Sequence, residues 1–245
     1  MPFCGIVMEK KVRINKFIAN AGVCSRRDAD KLVTEGRVTV NGNLATPGTG
    51  VSDTDVVCVN GKVVKAKDDK VVLAFYKPIG ITCTERDKFA EKTILEYIKY
   101  PVRVTYAGRL DKDSEGLILL TNDGNLIQAL MKGSNHHEKE YVVKVDKEIT
   151  ERFLEIMSQG VYLKELDRTT RPCQITQVGK NTFKIILTQG LNRQIRRMCK
   201  ELGFTVTRLK RIRIEKITVD GLKIGQYREL TEKEKENLYE TVGLK

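Results

Sequence analysis

"AGRLDKDSEGLILLTNDG", residues 107–124, sets an aspartate after Gly-Arg-Leu and follows it with further acids, a glycine and an aliphatic run. Two folds compete for it. Asp111, Asp113, Glu115 and Gly116 stand at positions one, three, five and six of a calcium-binding loop, which would need helices on both sides. The fifth position is Glu rather than Asp or Asn, and the twelfth, where a bidentate Glu should close the shell, is Asn122. "RVTYAG" before the loop and "LILLT" after it read as strands. The segment therefore predicts strand, loop, strand, and no metal site. Turn chemistry accounts for Asp113, Ser114 and Glu115 as an exposed acidic loop. Asp111 follows a strand almost directly, and on the residues alone it stays open between turn former and functional carboxylate.

Outward from this loop, the sequence from Val71 mixes strands with fewer helices. "VVLAFYKPIG" is a strand ending in Lys-Pro and a glycine turn, "EYVVKVD" alternates, and "RPCQITQVGKNTFKIILTQG" is a hairpin turning at Gly179 to Asn181. "TERFLEIMSQG" is helical after Thr150, and "NRQIRRMCKELG" carries Ile195, Met198, Cys199 and Leu202 on one helical face. "TRLKRIRIEKITV" returns to strand, and "TEKE" opens a last helix with a capping box. This pattern predicts an α+β fold with a mostly antiparallel, mixed sheet.

The first segment is a separate unit. "RINKFIANAG" and "CSRRDADKLVTEG" read as two short helices, the second capped by Ser25, before two Asn-Gly hairpins in "RVTVNG" and "DVVCVNGKVV". "KAKDDK", residues 65–70, is a polar linker. The expected organisation is a tail over 1–11, a small domain over 12–66, a linker over 67–70 and a larger domain over 71–245.

Lys and Arg number 44 against 32 Asp and Glu, a formal charge of +12. Such a surface favours a polyanionic partner, nucleic acid ahead of an anionic membrane. From Asn192 to Lys216 stand nine basic residues against Glu201 and Glu215, interleaved with apolar ones. Folded elements presenting an anion-binding side explain that better than solvated decoration. Lys16 falls on the first N-terminal helix; Arg26, Arg27 and Lys31 fall near the start of the second, where backbone N–H groups add to the charge. Asp28 or Asp30 could instead pair with those arginines. The six cysteines contain no C-x-x-C pair, so reduced thiols are expected. "MPFCGIVMEKKVR" is the reverse of a secretory signal, and no aliphatic run reaches the roughly 20 residues needed to span a bilayer. A cytoplasmic protein with no membrane partner is expected.

The N-terminal pattern resembles the αL RNA-binding module named after a small-subunit ribosomal protein. "GRLDKDSEGLILLTNDG", "YKPIG", "EKEYVVKV" and "QGLNRQIRRMCKELGFTVTRLKRIRI" together resemble the bacterial RsuA-type pseudouridine synthases, a resemblance that runs across essentially the whole chain beyond the tail. Within that family "HHEKEYVV" and "LNRQIRRMC" are most similar to the RluF subgroup, which acts on large-subunit rRNA. The resemblance implies isomerisation of a uridine already in RNA, with a tRNA as a further possible substrate. It also implies no cofactor, which agrees with the lack of a P-loop, a Rossmann glycine pattern or a metal cluster in the sequence.

By the same resemblance Asp111 is the essential catalytic residue, either a nucleophile on the ribose or the base that opens a glycal route. Arg196 pairs with it, and Arg109 serves in flipping the base or holding the vacated position. Tyr141 stacks on the target base and serves in proton transfer, although the residues alone would make it a core tyrosine sharing a strand face with Val143 and Val145. Lys77 supports the catalytic loop. Arg193, Arg197, Lys200, Arg208, Lys210 and Arg211, with Lys16, Arg26, Arg27 and Lys31, are the expected RNA contacts. A monomer is expected. Two rivals stand beside this reading: a non-catalytic RNA-binding ribosome-assembly factor, and a glycosidase-like hydrolase, for which no second catalytic acid is identified.

Overall fold

The computed structural model describes residues 11–65, 69–84, 93–132 and 136–244. Almost all of the expected tail and part of the expected linker lie outside the described residues. The chain divides into two compact units: the residues up to Lys70 with Pro101–Val104 and Asn122–Gly124, and Val71–Tyr100, Thr105–Thr121 and Asn125 onward.

The first unit holds β1 (Val12–Arg13), α1 (Ile14–Asn20), α2 (Arg26–Thr34), β2 (Val38–Val40), β3 (Asn43–Leu44), β4 (Gly50–Val51), β5 (Val57–Val59) and β6 (Lys62–Val64). Ser25 caps α2 by accepting the Asp28 N–H at 3.2 Å. Asn41 and Asn60 take φ of 51° and 53°, each followed by a positive-φ glycine, which is the conformation tight hairpins demand. The resulting antiparallel sheet runs β3-β2-β5-β6. Ile14, Ile18, Ala29 and Val33 of the helix pair share one core with Val38, Val57 and Val59.

The second unit contains β7 (Val72–Lys77), α3 (Ile94–Tyr97), β8 (Thr105–Ala107), β9 (Glu115–Thr121), α4 (Gly124–Met131), β10 (Lys139–Val145), α5 (Glu151–Gln159), β11 (Tyr162–Leu163), β12 (Arg168–Thr169), β13 (Gln174–Gly179), β14 (Thr182–Leu187), α6 (Gln194–Glu201), β15 (Val206–Ile214), β16 (Ile217–Thr218), β17 (Tyr227–Glu229) and α7 (Glu232–Thr241). Its main sheet runs β13-β14-β10-β15-β9-β7-β17, with β8 on β9 and β16 on β15. Neighbours are antiparallel except β9 and β15, which are parallel. The α+β reading with a mostly antiparallel, mixed sheet is therefore correct.

Apolar clusters of the described residues pack against this sheet. Val72, Ala74, Leu117 and Leu119 pack with Leu126 of α4 and Leu238 of α7, while Val143, Val145, Phe183 and Ile185 pack with Phe153 and Met157 of α5 and Ile195 and Met198 of α6. β7 and β9 are buried at every position, which explains why their sequences run apolar without alternation.

At the β9–β15 junction Arg211 faces Gly116, whose φ is +111°. A Cβ on Gly116 would stand 2.1 Å from the Arg211 carbonyl oxygen. The glycine after the acidic run thus lets two backbones touch.

The acidic loop itself departs from expectation. Ser114 and Glu115 are 1 % and 3 % exposed, not solvated turn residues. Glu115 is buried because it accepts from Arg208 Nε at 2.5 Å and from the Tyr76 hydroxyl at 3.2 Å, partners far away in sequence.

Candidate active site

The loop joining β8 to β9 is held by backbone and buried polar groups. The Leu110 N–H donates to Cys83 Sγ at 3.5 Å, the Ser114 N–H to the Asp111 carbonyl at 3.1 Å, and the Gly80 N–H to the Lys112 carbonyl at 2.8 Å. Beneath the loop Lys77 is fully buried and donates to the carbonyls of Ser114 at 2.7 Å and Pro78 at 2.9 Å. Burial pushes its ammonium down to about 8, against the opposing pull of Cys83, Asp111 and Asp113. A cation shut under the loop thus ties the Ser114 carbonyl, at the loop's far end, to the Pro78 carbonyl just after β7.

Arginines from the start of α6 grip the loop from the other side. Arg193 reaches Asp111 Oδ2 at 3.4 Å and forks onto Asp113 at 3.2 and 3.0 Å. Arg196 donates to the Asp113 carbonyl at 3.0 Å, Ser114 Oγ at 3.3 Å and the Val206 carbonyl at 3.2 Å. Burial opposes ionisation of Asp113, but the Arg193 hydrogen bond and the charges of Arg196 and Arg193 outweigh it and hold this carboxyl below the usual range. Among the described residues the ion pair of Asp111 is with Arg193, whereas Arg196, expected there, pairs with Asp113. Arg193 precedes the helix as its N-cap at φ 50°, so helical periodicity does not govern where its side chain points.

A cavity of about 480 Å³ opens over this arrangement, lined by Arg109, Asp111, Tyr141, Arg193, Arg196 and Arg211 among others. It brings together the four residues expected to be catalytic, drawn from the β8–β9 loop, β10 and α6. Lys77 lies beneath the loop and is not among the lining residues. Tyr141 is half-buried, between Ile185 of β14 and Arg211 of β15. The same wall includes His137, Lys139 and Gln189, which the sequence reading missed. Period-two alternation back from Tyr141 leads to Lys139 and His137, a signal that was present in "HHEKEY". Burial pushes the Lys139 ammonium down to about 8, with Arg211 adding to the shift and Glu215 opposing it.

Of the expected RNA contacts, Arg26, Arg27 and Lys31 are exposed on α2, and Lys16 is half-buried on α1. Asp30 accepts from Asn15 at 2.9 Å, and Asp28 from Ser25 at 2.8 Å. Much of the basic stretch in the second unit is engaged internally: Arg197 and Lys200 with Glu165, Arg208 with Glu115, and Arg213 with Glu138 and Glu140. Lys210 stands over the Tyr76 ring at 4.8 Å. Side chains of Lys200, Arg208 and Arg193 remain 74 %, 60 % and 42 % exposed, so a phosphate can still compete for them. Arg211 is a correction. At 2 % exposure it belongs to the floor of the unit and not to an outer phosphate-binding face, because β15 is central in the sheet.

Residues 71–201 match the RNA pseudouridylate synthase family, and residues 12–57 match the S4 domain. The dual-specificity RNA pseudouridine synthase RluF of Escherichia coli (strain K12) is 43 % identical over 236 residues, covering 96 % of this chain and 80 % of that protein. The chain belongs to the RNA pseudouridine synthase family. An uncharacterized RNA pseudouridine synthase of Aquifex aeolicus is 39 % identical over 242 residues, covering 96 % of each chain. Among solved structures, a pseudouridylate synthase superposes with a TM-score of 0.69 at 28 % identity, over 93 % of this chain and 99 % of that one. This RNA pseudouridine synthase is therefore RluF-like, an isomerase acting on RNA, and not a non-catalytic assembly factor. No helix among its described residues is long and apolar enough to cross a membrane.

Proposed function

We propose that this synthase converts a specific uridine of large-subunit rRNA to pseudouridine, that a tRNA is its second substrate, and that Asp111 carries the chemistry. The observation behind the chemical assignment is the Asp111 carboxylate on the cavity wall, 3.4 Å from Arg193, with Tyr141 and Arg196 on the same cavity. Likeness to relatives named dual-specificity synthases supports the two-substrate reading.

The reaction conserves every heavy atom. The bond from ribose C1′ to uracil N1 breaks, the base turns, C1′ bonds to C5, and the C5 proton leaves to solvent while N1 gains one. Asp111 starts this as a nucleophile at C1′ or as the base that withdraws the C2′ proton; both routes need an ionised carboxylate, and Arg193 holds that carboxylate in place. A uridine stacked in a helix is out of reach of any carboxylate, so the nucleotide is extruded into the cavity, and Arg109, which lines it, occupies the place left behind. Tyr141 stacks on the extruded base and serves the proton leaving C5. Residues 12–66 serve as the RNA-binding domain and 71–245 as the catalytic domain, joined through 67–70. Lys16, Arg26, Arg27 and Lys31 hold phosphates of the neighbouring nucleotides for the first, and Arg193, Arg197, Lys200, Arg208 and Lys210 for the second. The protein works as a monomer in the cytoplasm and needs no cofactor.

Pseudouridine mapping in rRNA and tRNA from a strain lacking this gene tests the proposal, together with tritium release from RNA labelled at uracil C5 by the purified chain. Loss of one rRNA site and one tRNA site, restored by the gene, is the expected result. An unchanged map and no tritium release would overturn it.

A further inference from the structure

β13, β14, β10 and β15 lie side by side in the main sheet, and the two faces they present differ. One face carries Val143, Val145, Phe183, Ile185 and Leu209, buried in the core shared with α5 and α6. Leu209 and Arg211, which alternate onto that side of β15, also line the cavity. The intervening residues point the other way. There Lys184, Val142 and Lys210 stand in register in one row, and Lys144 and Arg208 in the next. None of these five is buried. An antiparallel sheet can leave one face to water, so exposure alone implies no partner.

The charge on this face does imply one. Lys144 and Arg208 sit directly opposite each other on neighbouring strands, a like-charge pairing of the kind that destabilises a sheet. Arg208 is offset by Glu115, Arg213 further along β15 by Glu138 and Glu140, and Lys184 lies 3.8 Å from Glu140. Lys144 and Lys210 form no ion pair among the described residues; the Lys210 ammonium stands over the Tyr76 ring at 4.8 Å. The acids therefore run out before the cations do. Facing side chains on adjacent strands are rooted about 5 Å apart, so a single phosphate group can bridge Lys144 and Arg208 and remove their repulsion.

We propose that this reverse face of the catalytic sheet is a second RNA-binding surface, whose cations hold phosphates of rRNA lying outside the segment that enters the cavity. This rests on the proposed rRNA substrate. Lys144, Lys184, Arg208 and Lys210 project from the side opposite to Leu209 and Arg211, so RNA with its uridine in the cavity meets them only by passing round the sheet. Flanking rRNA is long enough to do so, and a short hairpin is not. The phosphates held by Arg208 and Lys210 thereby move from the target's neighbours to RNA further out.

A double variant, Lys144→Gln with Lys184→Gln, is compared with the wild type on two RNAs. One is a hairpin just long enough to present the mapped uridine; the other is the large-subunit rRNA fragment that holds the same uridine with its flanking helices. Affinity is measured over a range of salt concentrations, beside tritium release from each RNA and thermal melting of each protein. On the long fragment the slope of log affinity against log salt is expected to fall by about 1 for each lysine removed. Hairpin affinity, hairpin turnover and melting temperature should stay as in the wild type. An unchanged slope on the long fragment, or an equal fall on both RNAs, would overturn the inference. Loss of binding confined to phosphatidylglycerol vesicles would overturn it too, by assigning the face to a membrane. The proposed substrate fails separately, through absence of product from the wild type on either RNA.

Discussion

Arg193 joins Asp111 to Asp113 through one guanidinium, 3.4 Å from the first carboxylate and 3.0 Å from the second. Asp113 is thus an anchor that aims Arg193, and Asp111 takes the remaining face. Arg193→Gln should lower the rate at saturating RNA roughly 10–100-fold through lost orientation, and should also weaken RNA binding modestly through the lost phosphate contact. Asp113→Asn should lower it less, because Arg196 still holds the loop backbone. Single-turnover tritium release beside a binding isotherm checks both.

Removing the carboxylate itself is the sharper test. Asp111→Asn and Asp111→Ala should abolish tritium release from C5-labelled RNA and leave the affinity for that RNA intact. Tyr141→Phe should keep fold and binding but stall turnover. Normal rates in either Asp111 variant would remove this residue from the mechanism, and normal rates in the tyrosine variant would return Tyr141 to a packing role.

Gly116→Ala should fail for a steric reason alone. The added methyl would meet the Arg211 backbone at 2.1 Å on a residue already at φ +111°. A loss of at least about 3 kcal/mol in denaturant unfolding, or failure to accumulate folded protein, is expected. Gly42→Ala, at a positive-φ position with open space around it, should cost only about 1 kcal/mol.

Stability should rise between about pH 8 and 10. Lys77 and Lys139 are both shifted down to about 8 by burial, so in that window the folded chain has released protons that the unfolded chain, with ordinary lysines, still binds. Stability increases with pH wherever the unfolded state holds more protons. Below about pH 8 the buried ammonium groups are charged in both states and the gain is absent. Lys77→Met should flatten that part of a melting-temperature profile while weakening the loop, since the Ser114 carbonyl loses its donor.

RNA affinity should fall steeply with salt, and Arg26→Ala and Arg27→Ala should each reduce the slope of log affinity against log salt by about 1. Titration of a labelled rRNA fragment at several salt concentrations measures this. An unchanged slope would mean that α2 does not touch phosphate.

The helix pair, the Asn-Gly hairpins and the strands around Asp111 were legible because each depends on neighbours in sequence: a cap at Ser25, a turn at Asn41, an aliphatic run from Leu117 to Leu120. What escaped depends on distant partners. Glu115 reads as a solvated acid until Arg208 and Tyr76 are known to meet it. Arg193 reads as the polar side of a helix because its left-handed backbone, which takes it off the helical wheel, leaves no mark in the sequence. Arg211 reads as one more surface cation in a basic strand. Only the strand order shows that β15 runs through the middle of the sheet.

The parallel seam between Gly116 and Arg211 also bears on biogenesis. The segment bearing Asp111 leaves the ribosome well before β15, yet its far end is stitched to that later strand. The anchor of the loop at Gly116 is therefore completed only once β15, roughly ninety residues further along, has taken its place in the sheet, so folding of the Asp111 loop waits on a distant strand.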